Sequence, residues 1–153
     1  AQAALAFAVL GILTVVALMD MDTLEIYDRF PVLLFVCGIA AHILIPSLGI
    51  KSRLIGCVIV SVPMLLLALI VPGGFGGGDI KLMFGAGFFL GAKLTVVAAF
   101  IGILLGGGFG ALLLAQKKAN RKSQFAFGPF LCIGIAIAMF FGETIADWYM
   151  GLL

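Results

Sequence analysis

The chain is 153 residues long, 64% hydrophobic and only 10% charged, with a mean hydropathy of +1.33. A water-soluble domain carries about 25% charged and about 45–50% apolar residues, so this composition excludes a soluble enzyme and indicates an integral membrane protein. The net charge of +2 says nothing about nucleic acid. The sequence has no basic arm with interleaved aromatics to bind it, so no nucleic-acid partner is expected.

Apolar runs fall at 1–19, 31–50, 54–72, 80–92, 94–115 and 125–142. Crossing roughly 30 Å of hydrocarbon at about 1.5 Å per residue takes about 20 residues. The first run has neither a basic leader nor an A-x-A exit, so it reads as a span rather than a signal peptide. Five runs are long enough to cross, and the fourth is short. A single helix from Ile80 to Ala115 would be about 54 Å long, too much for one crossing. Gly91-Ala92-Lys93 is the natural break. The expectation is an all-α, polytopic bundle of about six transmembrane helices, forming one domain over residues 1–153.

Positive charge in the short connections sets the orientation. With six spans and the N-terminus outside, connections 20–30, 73–81 and 116–124 share the cytoplasmic side. They carry Arg29, Lys81, Lys117, Lys118, Arg121 and Lys122, against Lys51, Arg53 and Lys93 opposite. Whichever way the bundle is turned, Asp20 and Asp79 share a face, each at a helix end.

The stretch "ALMDMDTLEIYDRFP", residues 17–31, follows the first span with Asp20, Asp22, Glu25 and Asp28. Its D-x-D opening suggests a calcium loop, but Leu24 takes the third ligand position and Pro31 stands where the bidentate glutamate belongs. The EF-hand fails, and Asp22 and Glu25 read as solvated loop residues. Asp20 differs, because its helix is apolar right up to Met19. Asp79 mirrors it, following a run of glycines and opening the next apolar run. Ionisable groups at that depth are costly and mark function by default.

"GGFGGGD", residues 73–79, is glycine-rich, but a P-loop needs a Lys and a Ser or Thr where this chain has Asp79. Glycines here let the backbone bend or let an extended peptide approach closely. Two carboxylates sharing one water can divide a proton between them, one acting as base and the other as acid. His42 lies mid-span beside Pro46 and reads as helix-packing glue. Cys37, Cys57 and Cys132 stand singly in apolar runs as small hydrophobes. No metal and no organic cofactor is implied.

These residues carry a family resemblance. "GGGDIKLMFGAGFFLG", from Gly76, Gly77, Gly78 and Asp79 onward through Lys81, resembles the GxGD motif of the type IV prepilin peptidases, a family of membrane aspartyl proteases. "MDMDTLEIYDRFP" resembles that family's stretch in which an aspartate, here Asp20, is followed eight residues later by Asn or Asp, here Asp28. "FAFGPFLCIG" is similar to its FGPFL signature, on Phe127, Gly128 and Pro129, and "GETIADWY" resembles its closing segment. Tyr27 departs from the usual Pro before the second position. The resemblance places the two catalytic aspartates on Asp20 and Asp79, with Gly76, Gly77, Gly78 and Lys81 in an active-site loop. It implies an endopeptidase cleaving the leader of type IV prepilin-like proteins at the cytoplasmic face of a bacterial inner membrane. Its partners would be those prepilin-like proteins and the lipid bilayer. Nothing matches the cysteine-bearing segment linked to methylation in bifunctional members, so the chain is either a protease-only member or the C-terminal portion of a longer one. The alternative is a small proton-coupled transporter using the same aspartates as a relay. Against it, both lie at one end and the midplane is nearly uncharged. A purely structural subunit would need neither.

Overall fold

In the computed structural model, residues 2–71, 75–116 and 127–153 are described. Gly73, the basic loop from Lys117 to Lys122, and the start of the sixth apolar run at Phe125 lie outside them. The described residues form α1 (Gln2–Thr23), α2 (Arg29–Leu44), α3 (Ile50–Ile59), α4 (Ser61–Ile70), α5 (Gly77–Leu90), α6 (Ala92–Ala115) and α7 (Gly128–Leu152), with no strand among them. Among the described residues four segments are long and apolar enough to cross a membrane: α1, residues 50–70, α6 and α7. The shorter α2 and α5 complete an all-helical bundle of six rods.

The expected break between the fourth and fifth runs is present. Gly91 adopts φ +83, a left-handed conformation that glycine enters without steric cost, and it separates α5 from α6. The third run is not one helix as expected; it breaks at Val60. Pro63 has no N–H to offer the Ile59 carbonyl four residues back, and its ring crowds that carbonyl, so α3 ends there. Two other boundaries also move. α1 continues through Asp20 and Asp22 to Thr23, and α7 runs on to Leu152, absorbing the 142–149 segment. His42 is in the last turn of α2 rather than mid-span, and Pro46 lies beyond the helix end, where it kinks nothing. His42 Nδ1 is buried without a hydrogen-bond partner.

The helix at the centre is α5, although it is only 14 residues long. Leu82, Met83 and Ala86 are completely buried, against Leu34 of α2 and Leu131 and Ile135 of α7. Small residues allow this depth. A Cβ on Gly85 would strike the Pro31 carbonyl of α2, and one on Gly87 would strike the backbone of Gly56 in α3. Close backbone approach through glycine is how helices pack where lipid offers no hydrophobic drive. The outer surface stays apolar, with Phe7, Ile43, Leu69 and Phe100 all exposed.

Arg53, expected among the loop charges, is instead buried in α3 and only 2% exposed. Its Nη1 donates to the carbonyls of Phe88 and Phe89 at 3.0 and 2.9 Å. It thereby closes the C-terminus of α5, where carbonyls lack intrahelical partners. Lys93 at the start of α6 pairs with Glu143 and Asp147 of α7. These contacts gather the start of α3, the end of α5 and the start of α6 at one end of the bundle. Asp20, the start of α5 and the start of α7 occupy the other.

Candidate active site

The apolar body of α1 continues one turn past Met19, and that turn carries Asp20 inward. The Leu24 N–H donates to the Asp20 carbonyl at 3.0 Å, and Leu24 takes φ +57 as the chain leaves the helix. This is a left-handed helix stop usually filled by glycine. A leucine there costs roughly 1 kcal/mol. The turn redirects Glu25, Ile26 and Tyr27 across the mouth of the bundle.

The second half of the site comes from α5. Gly76 is its N-cap and Gly77, Gly78 and Asp79 form its first turn. The expected active-site loop is therefore mostly helix: of its residues only Gly76 precedes α5. Asp79 reaches back to hydrogen-bond the backbone of Gly76, the return half of a capping box. The other oxygen, Oδ1, is buried without a partner.

Asp20 and Asp79 are 6% and 7% exposed and line one cleft of about 280 Å³. One wall is Leu24 to Tyr27, and the other is Gly76 to Gly78. A Cβ on Gly77 would meet nothing within 4 Å, so that backbone is open. Gly78 instead packs on Ile26, where a Cβ would lie 2.8 Å from the Ile26 Cβ. Its constraint is thus the opposite wall and not the Asp79 carboxylate.

Asp20 is held by a third element. The Gly128 N–H, in the first turn of α7, donates to Asp20 Oδ2 at 2.9 Å. Pro129 follows in that first turn, where a missing N–H costs nothing. Phe127 seats its ring where a Cβ on Gly106 would strike it, and meets Phe75 edge-on at 5.5 Å. Phe127, Gly128 and Pro129 are thereby joined to both aspartate segments.

No ion pair neutralises either aspartate among the described residues, where the pairs are Lys81–Asp28 and those of Lys93. Compensation comes instead from two helix N-termini, α5 for Asp79 and α7 for Asp20. Each supplies free N–H groups and about half a positive charge.

Lys81 does not join the cleft. It is half-exposed on α5 and pairs with Asp28 at 2.8 Å, bridging the first turns of α5 and α2. Glu25, read from the sequence as a solvated loop residue, is exposed but does line the cleft. Asp22 is exposed and outside it. Cys57 and Cys132 are buried, Cys37 partly so, and no described group of His, Cys, Asp and Glu is arranged to hold a metal. Two contributors escaped the sequence reading, Ile26 and the Gly128 N–H. A glycine before proline at the head of an apolar run was the available signal for the second.

A sequence model of the Type IV leader peptidase family matches residues 7–111, which include Asp20, Asp28 and the glycines through Asp79. Similar proteins include the prepilin leader peptidase/N-methyltransferase of Bacillus subtilis, 28% identical over 92% of this chain and 57% of that protein. That of Legionella pneumophila is 38% identical over 50% of this chain and 26% of its own. That of Aeromonas hydrophila is 25% identical over 91% and 50%. Across these matches the chain spans between about a quarter and 57% of its relative's length. No solved structure matches significantly.

Proposed function

We propose, from the premise that this chain belongs to the type IV leader peptidase family, that it is an aspartyl endopeptidase releasing the leader of type IV prepilin-like proteins. The observation that carries the reading is the meeting of Asp20 and Asp79. They are 59 positions apart (79 minus 20), yet line one cleft at one end of the bundle.

Two carboxylates lining one cleft repel when both are ionised, so one shared proton is the favoured arrangement. In the proposed reaction the ionised partner takes a proton from water as its oxygen attacks the peptide carbonyl. The protonated partner donates to the carbonyl oxygen, giving a tetrahedral diol. As the C–N bond breaks, the leaving nitrogen takes the proton that the first partner accepted from water, and the diol returns a proton to the second. The donors at the two helix N-termini hold both carboxylates in place through the cycle.

A peptide bond inside a helix is hydrogen-bonded and poorly presented. The substrate would enter the cleft as an extended segment, its apolar helix remaining in lipid beside the bundle. The cleft end would face the cytoplasm of a bacterial inner membrane. The N-methyltransferase half of the relatives' names is no part of this proposal.

The test is leader release from a membrane-embedded prepilin-like substrate by the purified chain. Release that is lost in Asp20→Asn and in Asp79→Asn supports the reading. Full release in either variant removes the aspartyl mechanism.

A further inference from the structure

A second cleft, of about 400 Å³, opens at the end of the bundle away from Asp20 and Asp79. Gln2, Ser47 and Arg53 supply its polar lining, and Leu48, Phe89 and Phe140 are among its apolar walls. Arg53 is the unusual member. It is 98% removed from solvent, its Nη1 is used on the two carbonyls ending α5, and its Nε is buried without a partner. No described carboxylate pairs with it.

A helix C-terminus is worth about half a negative charge. The end of α5 therefore offsets part of this guanidinium and leaves the rest. A buried cation without an anion is strongly unfavourable, and here the cation borders a cleft with room for one.

We propose that this cleft binds a phosphate group beside Arg53, contributed by the headgroup of an anionic lipid. The planar guanidinium matches phosphate oxygens in charge and geometry. Ser47 and Gln2 add donors, and the apolar walls suit the carbons next to a lipid phosphate. The site is independent of the peptidase reading, because it shares no residue with the aspartate cleft.

The test uses the whole chain in neutral detergent, with retained lipid counted by native mass spectrometry. Phosphatidylglycerol is compared with phosphatidylcholine, and inorganic phosphate is added as competitor. Two variants are measured: Arg53→Gln, and Ser47→Trp, which fills the mouth from an exposed position and leaves the guanidinium intact. The expected result is preferential retention of phosphatidylglycerol, weakened about tenfold or more in both variants. Inorganic phosphate that binds in an Arg53-dependent way and displaces the lipid would support the site and assign free phosphate as its ligand. Failure to displace would support the headgroup. If Arg53→Gln does not fold, Ser47→Trp decides. Equal retention of the two lipids, or unchanged binding in Ser47→Trp, overturns the proposal.

Discussion

The Gly128 N–H donates to Asp20 Oδ2 at 2.9 Å across 108 positions of chain. The first turn of α7 is thereby bound to the last turn of α1, and no side chain could replace that glycine. A Cβ at Gly128 would lie 2.6 Å from the same oxygen. Gly128→Ala is therefore expected to displace the Asp20 carboxylate without unfolding α7. A displacement of about 1 Å at a reacting group can cost about a hundredfold in rate. Leader release should fall by about that factor, with far-UV circular dichroism unchanged; wild-type turnover in Gly128→Ala would separate this contact from the chemistry.

Asp20→Asn and Asp79→Asn each keep shape and remove a titratable group. Loss of a general acid or base typically costs about 10²–10⁴-fold, and each variant should lose at least that with normal membrane insertion. Asp22, exposed and outside the cleft, is the matched control. Asp22→Asn should cleave like wild type, and a comparable loss there would point to general acidity of the segment rather than to a pair.

The two neighbouring glycines should behave differently. Gly78→Val places branched carbons against Ile26, where even a Cβ lies at 2.8 Å. The wall from Leu24 to Tyr27 should be pushed outward and cleavage lost. Gly77→Ala meets nothing within 4 Å, and it should retain most activity while stiffening the helix start by about 0.4–1 kcal/mol. Similar activities for the two variants would show that this turn does not shape the cleft.

Lys81 and Asp28 form an exposed pair at 2.8 Å. Exposed pairs contribute about 0.2–1 kcal/mol, so a double-mutant cycle with Lys81→Ala and Asp28→Ala should give a coupling energy within that range. Leader release should change only a few-fold in either single variant. A thousandfold loss in Lys81→Ala would instead place the lysine in the reaction.

Orientation can be read from opposite ends of the molecule. A cysteine placed at exposed Ser47, at the end away from Asp20, should react with an impermeant thiol reagent added to intact cells. One placed at Ser123, in the basic loop expected to face the cytoplasm, should not. Reaction at Ser123 alone would invert the bundle.

Properties set by composition and local spacing were legible before any fold. A chain 64% hydrophobic must dissolve in lipid, and lipid admits helices because every backbone group is satisfied within one. Helix length against bilayer thickness then puts Asp20 and Asp79 at one end, and steric freedom at Gly91 marks the break beside Lys93. Pro63 was equally visible as the cause of the break at Val60, since a missing N–H is a local fact. What only the tertiary structure decided are contacts between residues far apart in the chain. Glycines 76 to 78 read locally as loop, yet Gly77 to Asp79 start a helix, with Asp79 reaching back to the Gly76 backbone and Gly78 packed on Ile26. Arg53 counts as a loop charge by position, but α5 ends beside it and its open carbonyls take the guanidinium inward. Gly128 meets Asp20 only because α1 and α7 pack in opposite directions. Periodicity describes each helix against its solvent, whereas these contacts depend on which helices face each other and at what depth.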